Sequence, residues 1–468
     1  MKQKILEILN ESLVCRALSA VGKKIGEFLL SSSIFAWFTS ERSQGDSRID
    51  RMASAVVESR FGEFIRSGKL IFWLLKIPEL PWVFLMLTLV GSMVLPTLVV
   101  MLLSLMTLVL TVVSVFYRKV KLPHFNGGVR VWILFALMTL AFTLVNYGGI
   151  RGVLAGGIRF CMLPLLPCTW ILLSEAGRVW RTLYVFTGAS LAVSLYGLYQ
   201  YFFTALSAQW TDTDLFSEQL GRLTSTFENP NVYGTFLLIA IPITLMAAIF
   251  GNGWKVKTFF TVTTILATVN MFLTYSRGCY IALLISVLIL LFCKGRGWLW
   301  GGVGALALSP LYLPESVMQR IMSIGNLADT SVSYRINIWK GALAMFEKYW
   351  WMGVGIGDAA FVSIYQSEAL TAAEEASHAH NLFLQIACES GILGLFILFA
   401  FFIWIFRSTL SNLSGTAGFE KWMRLTLIAV WVGLLVQGMT DYIFYNNNLF
   451  AIMMISLGGM IAERGKEV

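Results

Sequence analysis

The chain has 468 residues, 57% of them hydrophobic and only 13% charged, with 16 tryptophans. That balance excludes an ordinary soluble globular domain and identifies a polytopic membrane protein. The formal net charge is +9, but the basic residues sort by membrane topology, so they do not argue for a nucleic-acid partner.

Residues 1–66 form a polar, basic arm. Ile5, Leu6, Ile8, Leu9 and Leu13 recur at helical spacing between Lys2, Lys4, Glu7 and Glu11. This is the pattern of an interfacial amphipathic helix, and charges recur before any cleavable apolar core is complete. The uncharged run from Phe28 to Ser40 is too short to span a bilayer. The arm reads either as a cytoplasmic segment resting on the anionic inner leaflet or as an extension with no role of its own.

From Pro81 onward, apolar runs of about 20 residues follow one another with short polar breaks. The expected spans are 81–94, 97–117, 130–147, 154–174, 181–205, 231–250, 257–275, 278–293, 297–314, 381–406, 423–440 and 445–462. The fold class is therefore all-α, with about twelve transmembrane helices. The chain divides into the arm at 1–66, the first nine helices within 67–314, a large hydrophilic loop at 315–380 before the tenth span, and the last three helices with a short tail at 381–468.

Lys and Arg set the orientation. Arg118, Lys119, Lys121, Arg130, Arg178, Arg181, Lys255, Lys257, Lys294, Arg296, Arg407, Lys421, Arg424, Arg464 and Lys466 all fall on one side, whereas the short loops of the other side hold only Arg151, Arg222 and Arg277. By the positive-inside rule both termini are cytoplasmic and the 315–380 loop is extracytoplasmic. That loop contains an expected amphipathic helix, Tyr334 to Tyr349, with Ile336, Ile338, Trp339, Leu343, Met345 and Phe346 as its apolar stripe. Next comes Gly353-Val354-Gly355-Ile356-Gly357, read as a turn of close backbone approach, since no strand precedes it as a nucleotide loop would need.

Arginines are rare on the outer side, so Arg222, Arg277 and Arg335 stand out. Guanidinium forks suit bidentate contacts with phosphate oxygens, and converging arginines can hold a diphosphate without a metal. The competing role for each is snorkelling to lipid head groups. Of three histidines, His124 lies in a basic inside loop, while His378 and His380 stand at the start of an apolar span. A neutral imidazole is a natural general base for a hydroxyl. A metal site is unsupported: no HExxH occurs, the nearby carboxylates are Glu374 and Glu375, and the six scattered cysteines (Cys15, Cys161, Cys168, Cys279, Cys293, Cys388) make no CxxC pair.

Together these pieces resemble a known family. His380-Asn381, nine residues, then Gly391-Ile392-Leu393-Gly394 is similar to the HN-x9-GxxG signature of the O-antigen ligase and polymerase superfamily. Phe227-Glu228-Asn229-Pro230-Asn231-Val232-Tyr233-Gly234, Tyr275-Ser276-Arg277-Gly278, Arg335 with Trp339, and the Gly353–Gly357 segment fall in that family's order, over roughly residues 130 to 460. The resemblance implies a GT-C-like helical enzyme of the bacterial cytoplasmic membrane. Such an enzyme transfers a glycan from undecaprenyl diphosphate to an acceptor hydroxyl on a glycan, a lipid or a protein, with inversion and without a metal or other cofactor. It would ligate or polymerise surface polysaccharide such as lipopolysaccharide or exopolysaccharide.

Carried over by motif, His380 is the base, and Arg222, Arg277 and Arg335 hold the diphosphate. His378, Asn381 and Glu389 complete the set expected around the substrate. Glu389 either orients a partner or the histidine, or is a buried carboxylate paired to a lipid-facing arginine. The alternative function is a transporter of a small anion or of the lipid-linked glycan, for which Arg159 and Glu389 are the ionisable groups at depth.

Overall fold

Inside a bilayer every backbone polar group has to be satisfied internally, which long apolar runs achieve as helices. The computed structural model describes residues 79–118, 127–204, 221–311, 314–324, 330–369 and 373–462, together with isolated residues between 55 and 68. The amphipathic arm at the N-terminus lies outside the described residues apart from those isolated positions. Among the described residues helices are the regular structure, and the chain is a polytopic membrane protein.

Helices α1 (Leu80–Val94) and α2 (Thr97–Arg118) form a hairpin, followed by α3 (Gly127–Leu144), α4 (Gly149–Met162), α5 (Leu165–Leu173) and α6 (Arg178–Phe203). Next come α7 (Pro230–Phe250), α8 (Trp254–Leu273), α9 (Arg277–Lys294) and α10 (Arg296–Ala307). Among the described residues of the hydrophilic loop the helices are α11 (Glu315–Met322), α12 (Thr330–Tyr349) and α13 (Asp358–Glu368). The chain then enters α14 (Leu382–Ser411), α15 (Gly418–Gln437) and α16 (Asn447–Ile461).

Among the described residues seven stretches are long and apolar enough to cross a membrane: α2, α4 running into α5, α6, α7, α8, α9 and α14. Shorter apolar helices are α1, Trp132–Leu144 within α3, and α16. The count of about twelve is therefore not reached on length and apolarity alone. The clearest difference is the expected span 297–314, where α10 ends at Ala307 and a turn follows at Ser309–Leu311. Twelve helical residues reach about 18 Å, well short of a hydrocarbon core of roughly 30 Å.

Helix α7 is the axis of the bundle. It is apolar on every side and almost wholly buried, as a helix surrounded by other helices must be. Its start is sharply defined: Pro230 occupies the first turn, and the Asn229 side chain accepts hydrogen bonds from the amides of Asn231 (2.8 Å) and Val232 (3.3 Å). Helices α8 and α15 pack against α7, and α9 packs against α15, where the Ser286 hydroxyl donates to the Ala429 carbonyl at 2.9 Å.

The hydrophilic loop builds a second, smaller core from Ile338, Ala342, Met345, Val354, Phe361 and Tyr365, resting on Cys388 of α14. The amphipathic helix expected from Tyr334 is present and begins earlier, at Thr330. Of its expected stripe, Ile338 and Met345 are fully buried, whereas Leu343 faces outward.

The strap Gly353–Gly357 is where the two cores meet. Its amides at Val354 and Gly355 donate to the carbonyls of Cys388 and Glu389 (both 2.9 Å), and the Ile356 amide donates to Phe142 at 3.0 Å. The receiving carbonyls are accessible because α14 breaks at Gly391, which has φ +64°. The HN-x9-GxxG spacing thus sets the distance from the histidine loop to this break.

Candidate active site

Asn381 fixes the entry to α14. Its side-chain carbonyl accepts from the Leu384 amide (3.0 Å) as an N-cap, and its amide group donates to the Met439 carbonyl (2.9 Å). The Leu382 amide donates to Gly438 at 2.6 Å. The histidine loop is thereby tied to the turn after α15, and that turn carries Asp441. His380 adopts φ +44°, a strained conformation for a residue with a Cβ. This places its Nδ1 3.2 Å from Asp441 Oδ1. An Nδ1–H donating to the carboxylate leaves the Nε2 lone pair available to accept a proton.

His378 lies behind, its ring 4.0 Å from that of His380 and tilted at 45° to that of Tyr445, 4.5 Å away. Its Nδ1 accepts from the His380 amide at 3.2 Å, which helps to hold the strained backbone. Burial, then the charge of His380 and also that of Arg335, pushes His378 down to about 3 against the opposing pull of Asp441, so it is neutral at ordinary pH. Burial acts to raise the Asp441 carboxyl, but the hydrogen bond and charge of His380, backed by His378 and Arg335, outweigh it. Asp441 therefore stays well below the usual carboxylate range.

Ligand atoms of His378, His380 and Asp441 lie within 4.8 Å of one another, a set able to hold a cation. The third group is Asp441, not Glu374 or Glu375, which are exposed. In the present arrangement His378 Nδ1 is engaged by the His380 amide and His380 Nδ1 by Asp441. Cation ligation through those atoms would break both contacts, whereas a histidine–carboxylate pair uses them as they stand.

The end of α15 supplies Gln437, and the turn after it Thr440, to a cavity of about 230 Å³ lined by Arg222, Arg277, Arg320 and Arg335 together with Trp339. The structure therefore brings the three predicted arginines together and adds a fourth. Arg222 is buried, donating from Nε to the Thr274 carbonyl (2.9 Å) and from Nη2 to Asn231 Oδ1 (2.8 Å). Asn231 also accepts from the Ser276 hydroxyl at 3.0 Å, so the Asn-Pro-Asn turn and the Tyr-Ser-Arg-Gly segment serve one guanidinium.

Arg277 donates to Ser323 Oγ at 2.9 Å, Arg320 to the Tyr275 carbonyl at 3.3 Å, and Arg335 to Ser331 Oγ at 2.7 Å. Each of these arginines lines the cavity while holding such a hydrogen bond. The described lining contains no Asp or Glu. Burial, then the like charges of Arg320 and Arg335, pushes Arg222 down to about 9. An anion in the cavity would relieve that repulsion.

Glu389 lies elsewhere. It is fully buried beneath the strap, does not line the cavity, and its partner is Arg159 at 3.7 Å, itself buried and not lipid-facing. Asp441, Arg320 and Tyr442, which donates to Glu389, were not singled out by sequence reasoning. Each is a lone polar residue whose neighbours in the chain carry no matching motif.

Among family models, residues 262–399 match the one described as O-antigen ligase. The match takes in Arg277, Arg320, Arg335, both loop histidines and Glu389, while Arg159, Arg222 and Asp441 lie outside it. No curated protein matches the chain.

Proposed function

We propose, from the match of residues 262–399 to the family model described as O-antigen ligase, that the chain transfers a glycan from a polyprenyl diphosphate to an acceptor hydroxyl. The donor is an undecaprenyl-diphosphate-linked glycan, and the acceptor is a hydroxyl on a glycan, a lipid or a protein of the cell surface. The observation that carries this reading is the four-arginine cavity joined by one short turn to the His380–Asp441 pair.

His380 Nε2 takes the proton as the acceptor oxygen bonds to the anomeric carbon. The bond from that carbon to the diphosphate oxygen breaks, and attack opposite the leaving group inverts the centre. Asp441 stabilises the imidazolium that forms. The departing diphosphate gains negative charge among Arg222, Arg277, Arg320 and Arg335, in a partly water-shielded cavity where fixed cations are most effective. These guanidinium groups supply the charge stabilisation that a metal supplies in other phosphate-leaving reactions.

The orientation from Lys and Arg puts this site on the outer side of the cytoplasmic membrane, with both termini inside and the 315–380 segment as a lid. A transporter would need its ionisable groups along a path. Arg159 and Glu389 are instead paired with each other and with Tyr442, and neither lines the arginine cavity.

The test is transfer by purified protein from a lipid-diphosphate glycan to a panel of acceptors, in excess chelator, for wild type and His380→Ala. Release of undecaprenyl diphosphate with mass gained by one acceptor, both lost in the variant, is the expected result. Full transfer by the variant would overturn the base assignment, and liposome uptake of the donor without any transfer would favour transport.

A further inference from the structure

One carboxylate underneath the site receives hydrogen bonds from its own helix and from two distant segments. Glu389 Oε1 accepts from the Gly357 amide at 3.2 Å and from Gln385 Nε2 at 3.0 Å, and Tyr442 donates its hydroxyl at 3.2 Å from both Glu389 oxygens. Arg159 Nη1 donates to the same Tyr442 oxygen, and its guanidinium lies 5.4 Å from that ring centre.

Two of these links lead directly to the proposed base and its partner. Gln385 turns its carbonyl oxygen to the Ala379 amide at 2.7 Å, which lies between the two histidines. Tyr442 follows Asp441 in the chain, and its amide donates to Asp441 Oδ1 at 2.9 Å. The third link holds the strap that seats the smaller core on α14.

We propose that Glu389, balanced by Arg159, is a positioning residue that aligns His380 with Asp441 by bonding at once to Gln385 under the histidine loop and to Tyr442 beside the aspartate. The proposal rests on the reading of His380 as the base. A carboxylate suits the task because it accepts on both oxygens, whereas an amide would turn a donor toward one of Tyr442, Gln385 or Gly357. His380 is held in a strained backbone, so its ring direction depends on such outside contacts.

The experiment measures kcat and donor KM for wild type, Glu389→Gln, Tyr442→Phe, Asp441→Asn and His380→Ala, with thermal stability recorded for each. Tyr442→Phe is included because it cuts the link to the aspartate turn while keeping both buried charges, Arg159 and Glu389, so its turnover can be read even if Glu389→Gln, which leaves Arg159 without a counter-charge, fails to fold. The expected result is a kcat loss of about tenfold or more in both Glu389→Gln and Tyr442→Phe, with donor KM within about twofold of wild type. Tyr442→Phe added to Asp441→Asn should cost little more than Asp441→Asn alone, because both act on one alignment.

Wild-type kcat in Tyr442→Phe, or a Glu389→Gln protein that loses stability but keeps its turnover per folded molecule, would overturn the proposal. Undiminished transfer by His380→Ala would remove the base assignment instead, so the two failures are read from different variants.

Discussion

Gly391 and Gly353 allow the same backbone crossing from opposite sides. A Cβ on Gly391 would lie 2.3 Å from the Trp351 carbonyl oxygen, and one on Gly353 would lie 2.4 Å from the main chain at Glu389–Ser390. Both residues have positive φ, +64° and +67°. Gly391→Ala therefore meets a backbone clash and a disfavoured dihedral together. A loss of about 2–4 kcal/mol is expected, visible as a lowered thermal transition of the detergent-solubilised protein, and an unchanged transition would contradict the crossing.

The histidine–carboxylate pair predicts unequal losses. His380→Ala removes the proton acceptor and should lower kcat by about 10²–10⁴-fold. Asp441→Asn keeps the side-chain shape but removes the charge that stabilises the imidazolium, and should cost less. Single-turnover rates at saturating donor would rank the two, and equal activity in Asp441→Asn would leave the carboxylate without a part in the chemistry.

For the arginines the contrast is between fork and point charge. Arg222→Lys and Arg277→Lys retain charge but lose the guanidinium geometry that Asn231 and Ser323 orient. Each should weaken transfer by about tenfold or more. Arg320→Ala should do likewise, although no motif marked it. Inorganic diphosphate as a competitive inhibitor provides the readout, and lysine variants with wild-type inhibition constants would indicate a diffuse field without specific contacts.

His378 predicts a pH dependence of stability. Its folded value, about 3, is lower than its ordinary 6.5, so between those values the unfolded chain binds a proton that the folded chain does not. Stability should therefore fall as pH drops from 6.5 toward 3, by at most a few kcal/mol. His378→Asn offers an oxygen acceptor to the His380 amide but does not titrate, so its melting temperature should decline less steeply over that window.

The apolar runs were legible because the bilayer allows few solutions for a long hydrophobic segment, and α2, α7, α8 and α14 stand where hydropathy placed them. The glycine strap was legible as a place of close approach because it lacks the strand a nucleotide loop requires. At α10, hydropathy continued past the end of the helix: Pro310 and Pro314 follow in a run that composition alone treats as apolar. His380 and the first three arginines carried recognisable neighbours. Asp441 did not, since it is 61 residues away and meets His380 only because Asn381 and Leu382 bind the turn after α15. Glu389 was visible as a charge in an apolar helix with Gln385 one turn before it, but its other partners, Arg159, Gly357 and Tyr442, come from distant segments that no spacing connects.

The arginine cavity draws its charge from two bodies with separate interiors. Arg222 and Arg277 belong to elements packed into the large core around α7, whereas Arg335 stands on α12 in the smaller core of the hydrophilic loop. An anion seated among them is a cross-link between the two. Loading is therefore expected to stiffen the joint between the hydrophilic loop and the bundle, so a bound diphosphate should slow amide exchange in α12 without any residue there changing its fold.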